Sequence, residues 1–168
     1  MDSSLNKPEH IVETNIYVNS NLDLFTNVLN SLESASQEAK SFLKDKMSSE
    51  GKLNNQLLEK HQHEGHGFAW FETYRIALRE TFNWFKKLRE LNKPTKVESG
   101  ILLFAFAEYL SQMRNGIMMS QTEIVRPEAL GISSQNFSFC DSPDVAELIK
   151  LGLSENVKSE IVNSLENG

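Results

Sequence analysis

The sequence predicts an all-α protein, an antiparallel up-and-down helical bundle with two central aromatic-rich helices and short C-terminal helices. Apolar residues recur at helical spacing over several long stretches. The residues between these stretches are ones that cap or break helices, and no two segments alternate as paired strands do. We predict a loose N-terminal arm over residues 1–20 and a single helical-bundle domain over 21–168. The central helices are expected at 68–91 and 96–116.

The first helix is predicted to begin after Asn21, a residue type that caps helix N-termini, and to end near Met47. Its apolar side chains fall within an arc of about 120°, which is typical of a helix at the edge of a bundle. They are Phe25, Val28, Leu29, Leu32, Ala35, Ala39 and Leu43. A shorter helix is predicted over 52–62, and Gly65 and Gly67 are predicted to end it.

The helix at 68–91 is predicted to contact two or more neighbours, because its apolar side chains cover an arc of about 200°. These side chains are Trp70, Tyr74, Ala77, Leu78, Phe82, Trp84, Phe85 and Leu88. Arg75 and Arg79 are predicted to lie on the polar remainder of the helix surface. Asn92 and Pro94 are predicted to end the helix.

The helix at 96–116 is predicted to be central and buried on every side, because it is apolar all round. Thr95 and Glu98 have the spacing of a capping box, in which each side chain bonds a free backbone N–H at the helix start. Gly116 is predicted to end this helix.

The segment after the central helices is predicted to form turns and a loop. Ser120 and Glu123 have the spacing of a second capping box, and Pro127 and Gly131 are predicted to confine the following chain to short turns. The polar segment 132–141 is predicted to be a loop.

Two short helices are predicted at the C-terminal end. Ser142 as N-cap and Pro143 at the first helical position predict one helix through about Leu151. Ser154 is predicted to start the last helix, which carries apolar residues at i, i+4 spacing. These residues are Val157, Ile161 and Leu165.

The composition is that of a water-soluble globular protein of 168 residues, with a mean hydropathy of −0.39. The net charge of −6 disfavours nucleic acid and anionic membranes as partners. The single cysteine, Cys140, cannot form an internal disulfide, which fits a reducing compartment. The N-terminus has no apolar stretch, and the longest apolar run, at 101–107, is shorter than the roughly 20 residues of a membrane span. We therefore expect a cytoplasmic protein.

Three histidines lie close together in the segment HQHEGH, at His61, His63 and His66. Imidazole nitrogens are ligands for Zn²⁺ and Ni²⁺, so a metal site is one interpretation. On a helix, however, His61 and His63 point about 200° apart, whereas paired metal ligands usually lie at i and i+4. The spacing favours a solvated helix end, and we predict no metal ligand in this segment.

Glu108 and Gln112 are i, i+4 neighbours on the most apolar helix of the chain. A carboxylate buried without partners costs free energy or changes its pKa, so Glu108 is expected to have a partner. The candidates are Arg75, Arg114, Arg126 and His66. Glu108 is either a general base or part of a buried polar network that fixes the packing of the helices, and the network is the favoured interpretation.

Two further polar clusters are candidates for ligand or partner binding. The segment containing Ser120, Gln121, Glu123 and Arg126 would suit a small anion or a partner, although bonds to the local backbone are favoured. The stretch 75–96 has seven basic and two acidic residues, a net charge of +5. It would suit an acidic partner or a CoA phosphate, although a solvated face is favoured.

Two motifs resemble a known family. They are HGFAWFETYRIALRE at 66–80 and EYLSQMRNGIMMSQTEIVRPEALG at 108–131. Together they resemble the N-terminal helical extension of acyl-CoA dehydrogenases of the (2S)-methylsuccinyl-CoA dehydrogenase type, and the resemblance covers roughly residues 60–131. It implies a free-standing version of that extension without the FAD-binding catalytic core. It therefore implies no catalytic residue and no cofactor in this chain.

The resemblance and the residues together predict a non-catalytic accessory or interaction module. Its expected partner is a second copy, as a homodimer, or an acyl-CoA dehydrogenase-like protein. The alternative is a small-ligand-binding protein or small enzyme with a pocket between the central helices around Glu108 and His66. The residues expected to form a polar network or to contact a ligand or partner are His66, Trp70, Tyr74, Arg75, Glu108, Gln112, Gln121, Glu123 and Arg126.

Overall fold

The computed structural model describes residues 13–92 and 96–166. Within these residues the chain forms eight α-helices, which confirms the predicted all-α bundle. They are α1 Thr14–Ser20, α2 Leu22–Lys46, α3 Asn55–Lys60, α4 Gln62–Glu90, α5 Lys96–Asn115, α6 Ser134–Phe137, α7 Pro143–Gly152 and α8 Glu155–Glu166. None of the helices in this part of the chain combines the length and the apolarity needed to span a bilayer.

Two short antiparallel hairpins interrupt the helices, where the sequence predicted no strand pairing. The first pairs β1 Ser48–Ser49 with β2 Lys52–Leu53, and the second pairs β3 Ile117–Met118 with β4 Ile124–Val125. The predicted capping box at Ser120 and Glu123 is therefore wrong, because strand β4 and not a helix follows it. Instead, the Glu123 carbonyl accepts a hydrogen bond from the backbone N–H of Met119 and closes the second hairpin.

Gly116 ends α5 as predicted and also permits the second hairpin. Its φ of 120° lies in a region that residues with a side chain rarely adopt. A Cβ at this position would lie 2.5 Å from Cγ2 of Ile124. Glycine at this position therefore permits both the backbone conformation of the turn and the close approach of β4.

The predicted loose arm over residues 1–20 does not hold for residues 14–20. These residues form α1, which buries Tyr17 and Val18 in the core. The Thr14 hydroxyl donates a hydrogen bond of 2.6 Å to the Glu160 carboxylate of α8. Residues 1–12 of the predicted arm lie outside the described residues.

Asn21 precedes α2 as predicted, but its side chain does not cap that helix. Its amide Nδ2 instead donates a hydrogen bond of 2.8 Å to the Tyr17 carbonyl at the end of α1. The two helices are therefore joined by Asn21, which satisfies a backbone acceptor of the first helix instead of a donor of the second.

Helix α4 begins at Gln62, six residues before the predicted start at residue 68. The predicted helix over 52–62 is replaced by β2 and the short α3. Gly65 and Gly67 lie inside α4 and do not end a helix. A Cβ on Gly67 would lie 2.5 Å from Cγ2 of Val125, so glycine is required here for packing against the second hairpin.

The core lies between α2, α4 and α5, where three phenylalanines meet. Phe25 of α2 contacts Phe106 of α5 edge-on, with a ring-centroid distance of 4.9 Å, and lies 6.0 Å from Phe82 of α4. The prediction that α4 needs two or more neighbours is correct, because α2 and α5 both pack against it. Trp84 was predicted to lie in the apolar arc of α4 but is exposed. Phe71 was not assigned to that arc but is buried.

Helix α5 is central but not buried on every side. Leu102, Phe106, Leu110 and Met113 are fully buried against α1, α4, α7 and α8. Ile101 is exposed on the side facing α8. The physical reason is that α8 is short and covers this side only in part. The predicted cap Thr95 and the predicted helix breaker Pro94 lie outside the described residues.

The C-terminal helices begin as predicted. The Ser142 hydroxyl accepts a hydrogen bond from the Val145 N–H, and the Ser154 hydroxyl accepts one from the Val157 N–H. A Cβ on Gly152, the last residue of α7, would collide with Ala107 and with the Leu103 carbonyl oxygen. This glycine allows the end of α7 to approach the backbone of α5 closely.

The predicted loop at 132–141 contains the short α6 and a 3₁₀ turn, Ser138–Asp141. A side chain of α2 holds this segment in place. The Glu38 carboxylate accepts hydrogen bonds from the Ser133 N–H, at 2.9 Å, and from the Asn136 amide, at 2.8 Å. The backbone hydrogen bond from Ser133, the largest contribution, and the one from Asn136 hold the pKa of Glu38 below its usual value.

The two glycines in α4 give a matched test of this packing. Gly67→Ala is expected to lower the free energy of unfolding by about 1–3 kcal/mol, because the new Cβ overlaps the β-branched Val125 side chain. Gly65→Ala is expected to be neutral or to stabilise by up to about 1 kcal/mol. Its Cβ meets only the flexible end of Met47, at 3.2 Å. Urea unfolding of both variants checks the prediction, which is contradicted if the two behave alike.

The Cys140 thiol is expected to be unreactive in the folded protein. Burial, with a smaller contribution from Asp141, raises its pKa to about 12, so almost no thiolate is present near neutral pH. We expect a disulfide reagent to label Cys140 at least about a thousandfold more slowly in the native protein than in denaturant. Rapid and complete labelling without denaturant would contradict the burial of this side chain.

Candidate functional site

A row of three side chains on α4 forms one half of the candidate site. His66, Trp70 and Tyr74 follow one another at i, i+4 and i+8, so they lie on the same face of the helix. The Trp70 indole Nε1–H donates a hydrogen bond of 3.0 Å to His66 Nε2. The Trp70 ring meets the Tyr74 ring edge-on, with a centroid distance of 6.1 Å. Because His66 Nε2 is an acceptor here, the neutral imidazole carries its proton on Nδ1.

Two side chains of α5 continue this row. The Tyr74 hydroxyl donates a hydrogen bond of 2.6 Å to Gln112 Oε1, and Gln112 Nε2 donates one of 2.7 Å to Glu108 Oε1. Burial, followed by the neighbouring Tyr109 and Glu108, raises the pKa of Tyr74, so its hydroxyl stays protonated and donates. We name His66, Trp70, Tyr74, Gln112 and Glu108 the α4–α5 ladder.

The partner of Glu108 differs from the one that the sequence predicted. Its carboxylate bonds the neutral Gln112 amide and, within the described residues, pairs with none of the four predicted partners. The physical reason is that Glu108 is only partly buried, so solvent can reach its carboxylate. The favoured interpretation of a polar network is consistent with this geometry, and its functional role stays a prediction.

A groove opens on the outer side of α5, between this helix and α8. Its volume is about 460 Å³. The lining residues are Ile101, Phe104, Ala105, Glu108, Tyr109, Lys158, Ile161 and Val162. None of the α8 residues was predicted as a site residue, and Ile161 was expected only as part of the apolar stripe of the last helix. The sequence feature that could have indicated a second apolar face on this helix was Val162, which lies next to Ile161 but outside the predicted i, i+4 stripe.

The predicted pocket between the central helices around Glu108 and His66 does not match this arrangement. Glu108 lines the α5–α8 groove, whereas His66 lines a separate shallow depression on α4 with Ala69, Trp70 and Thr73. The tyrosine rings of Tyr74 and Tyr109 lie between the two helices and stack at 4.4 Å with an angle of 8°. His66 and Glu108 are thus joined through the ladder but do not face a common cavity.

Arg75 forms a buried ion-pair network and does not lie on a solvated face as the sequence predicted. It is 7% exposed. Its Nη1 donates to the Glu33 carboxylate of α2 at 2.6 Å, and its Nε and Nη2 bond both oxygens of Glu72 at 2.7 Å. Arg79 also bonds Glu33. The network joins α2 to α4, and Glu33 could not be identified from sequence because its partners are about 40 residues away.

The carboxylates of this network have pKa values below the usual one. The pKa of Glu33 is lowered first by a hydrogen bond from Gln37 and then by Arg79. Burial tends to raise the pKa of Glu72, but hydrogen bonds from Arg75 and Ser36 outweigh it, so the pKa is lowered overall. Both groups are therefore ionised near neutral pH, which fits a structural role for Arg75.

The second hairpin carries the remaining candidates. Gln121, Glu123 and Arg126 are exposed, and within the described residues none of them bonds a side chain of the α4–α5 ladder. The Ser120 hydroxyl lies 3.4 Å from the Glu123 carboxylate. The hairpin touches α4 through Gly67 and Val125. The structure therefore brings five of the nine candidate residues into one ladder and places Arg75 and the hairpin residues elsewhere.

The histidine segment lies at the start of α4. His61 Nδ1 is 3.2 Å from the Glu64 carboxylate, which also lies 3.6 Å from Lys46. His63 and His66 are exposed. In the described part of the chain, no three histidine, cysteine, aspartate or glutamate residues are grouped so that they would hold a metal ion.

Comparison with known proteins supports the resemblance seen in the motifs. The chain is 37% identical over 111 residues to (2S)-methylsuccinyl-CoA dehydrogenase of Cereibacter sphaeroides. The match covers 66% of this chain and 20% of that enzyme, so the chain is similar to about a fifth of the enzyme's length. No family model matches the chain. The predicted resemblance is therefore confirmed as similarity to a part of that enzyme.

Removing Arg75 is expected to destabilise the fold more than removing its neighbour Arg79. Arg75→Ala removes the cation of Glu72 and one of the two cations that bond Glu33, and it is expected to cost about 2–3 kcal/mol, because both carboxylates keep some hydration. Arg79→Ala, at a side chain that is 40% exposed, is expected to cost about 1 kcal/mol or less. Urea unfolding at neutral pH measures both values.

The same variants can be compared in acid. Because the folded-state pKa values of Glu33 and Glu72 lie below 4.5, their contribution to stability is present above that pH. It is lost as the pH falls through the lowered values. Arg75→Ala is expected to lose less stability than the wild type between neutral pH and pH about 3. An equal loss in both proteins would contradict the assigned network.

Proposed function

We propose that this protein is a non-catalytic helical module that acts by association, with an acyl-CoA dehydrogenase-like protein or with a second copy of itself. The observation that carries the proposal is the partial match, since the chain is similar to a fifth of (2S)-methylsuccinyl-CoA dehydrogenase. Domains of one protein pack against one another through interfaces that resemble those between proteins, so we expect residues similar to part of that enzyme to form a surface suited to such contacts.

The surface that best supports association lies on the outer side of α4. Ile76, Trp84 and Leu91 are 47%, 38% and 62% exposed, and at helical spacing they fall within an arc of about 80°. Glu80 and Lys87 lie in the same arc and are exposed. We name these five residues the α4 stripe. An exposed tryptophan surrounded by apolar and charged side chains is typical of the residues that dominate protein interfaces.

The α4 stripe is narrower than the arc of about 200° that the apolar side chains of this helix were predicted to cover. Most of the aromatic side chains of α4 are used inside the bundle, where Phe71, Phe82 and Phe85 are buried. The width of the apolar arc is thus explained by contacts with α2 and α5. The proposal therefore rests on the residues that these two helices leave uncovered.

The arrangement of the polar candidates supports a non-catalytic role. Tyr74 bonds Gln112 and Gln112 bonds Glu108, and all three guanidinium nitrogens of Arg75 bond Glu33 or Glu72. Side chains held in this way fix the packing of helices. We also place the module in the cytoplasm, because its one thiol, at Cys140, is free and buried, which fits a reducing compartment.

The proposal is tested by measuring whether this protein binds the enzyme when the two are separate molecules. The chain is mixed with (2S)-methylsuccinyl-CoA dehydrogenase from which the matching segment has been deleted, and the molar mass is measured by size-exclusion chromatography with light scattering. The chain alone is measured in parallel. We expect a complex with the truncated enzyme or a homodimer at tens of micromolar. Trp84→Glu is expected to weaken the association at least about tenfold, because it places a charge in the interface.

Leu53→Glu is the matched control, because Leu53 is an exposed leucine (66%) on β2, outside the α4 stripe. It introduces the same charge and is expected to leave association unchanged. A chain that stays monomeric alone and does not migrate with the truncated enzyme contradicts the proposal. Equal effects of the two substitutions contradict the choice of the α4 stripe as the interface.

A further inference from the structure

The α5–α8 groove has the dimensions and the walls of a small-molecule site. Its volume of about 460 Å³ lies in the range of pockets that hold small organic ligands. Six of its eight lining residues are apolar or aromatic, and they come from two different helices. A groove of this kind favours a ligand with an apolar body, because transfer of apolar surface out of water is favourable.

One carboxylate oxygen in this groove is held in a fixed position, and the other is available. Glu108 Oε1 accepts the hydrogen bond from Gln112, which is itself held by the Tyr74 hydroxyl of α4. Within the described part of the chain, Glu108 Oε2 accepts no protein hydrogen bond and no basic side chain pairs with Glu108. The α4–α5 ladder therefore orients an acceptor oxygen at the wall of an apolar groove.

The other features of the groove favour a cation over an anion. Phe104 and Tyr109 contribute aromatic rings to its wall, and the face of such a ring attracts a cation. Tyr109 is held in place by stacking on Tyr74. The basic residue of the wall, Lys158, has its ammonium group at 2.9 Å from the Glu155 carboxylate, which offsets part of its charge.

From these observations we propose that the α5–α8 groove binds a small amphipathic organic cation, with its ammonium group on Glu108 and its apolar body along α5 and α8. The ammonium group donates a hydrogen bond to the available Glu108 oxygen and lies beside the Tyr109 ring. The apolar body lies against Ile101, Ala105 and Val162. This site does not include the α4 stripe, so ligand binding and association with a partner protein are separate properties.

Three probes with the same eight-carbon chain test the proposal on the isolated protein. They are n-octylammonium and octanoate, titrated below their micelle concentrations, and n-octanol, titrated below its solubility limit, and binding is followed by calorimetry and by amide chemical shifts. We expect n-octylammonium to bind at least about tenfold more tightly than octanol or octanoate, with shifts confined to α5 and α8. The proposal is overturned if either of the other two probes binds equally well, or if n-octylammonium does not bind at up to about 10 mM.

Variants locate the site. Glu108→Gln keeps the size of the side chain and its bond from Gln112 but removes the charge. It is expected to weaken n-octylammonium binding about tenfold or more and to leave octanol binding unchanged. Glu59→Gln is the matched control, because Glu59 is an exposed glutamate on α3, outside the groove and the α4 stripe, and this variant is expected to bind all three probes as the wild type does. Unchanged n-octylammonium affinity in Glu108→Gln overturns the proposal.

A second variant tests the groove without changing Glu108, so its result does not depend on how Glu108→Gln folds. Ala105→Leu fills the groove with an apolar side chain and leaves Glu108 and the ladder in place. It is expected to weaken the binding of n-octylammonium and octanol by similar factors, because both lose the space for their chain. Full retention of n-octylammonium binding in Ala105→Leu overturns the proposal, whatever the outcome for Glu108→Gln.

Discussion

The burial of α5 is the constraint on which the rest of this structure depends. A helix that is apolar on nearly every side is stable in water only when other elements cover it from several directions. Here α1, α4, α7 and α8 do so, around fully buried side chains such as Phe106 and Leu110. The small residues at Gly152 and Ala107 let α7 approach the α5 backbone closely. The short helices of this protein have a stable position because α5 provides the apolar surface against which they pack.

Two polar networks complement this apolar packing, one on each side of α4. Towards α2, Arg75 is bonded by Glu33 and Glu72, and towards α5, Tyr74 is bonded to Gln112. Apolar contacts alone permit one helix to slide or rotate against another at modest cost, whereas hydrogen-bonded polar groups fit in one arrangement. The two networks therefore define the position of α4 relative to both neighbours. They also explain why polar residues occur on the two central helices of the bundle.

Both proposed binding surfaces lie on parts of the central helices that other helices leave uncovered. On α4 the residues that α2 and α5 do not reach form the α4 stripe, which includes Trp84. On α5 the side that α8 covers incompletely forms the groove with Glu108 and Tyr109 in its wall. Both surfaces belong to helices that pack on the core, so we expect their backbones to move little. A rigid surface loses little conformational freedom on binding, which favours its use in association or ligand recognition.

The sequence by itself determined the features that depend on neighbours along the chain. The all-α class, the bounds of α2 and α5, and the caps at Ser142 and Ser154 follow from local periodicity and local hydrogen bonding. The tertiary structure alone decided the features that depend on residues far apart. Gly67 was predicted to end a helix, but its role is set by Val125, which lies 58 positions later.

The contacts of Arg75 and of the Glu108–Gln112 pair also depend on residues that lie far away along the chain. The i, i+4 spacing of Glu108 and Gln112 was visible in the sequence, but the contact of Gln112 with Tyr74 was not. Arg75 was predicted to be solvated because its helical angle placed it outside the apolar arc, yet Glu33 of α2 meets it there. Periodicity defines which face of a helix a residue occupies. It does not define what covers that face, because this depends on how distant segments of the chain pack together.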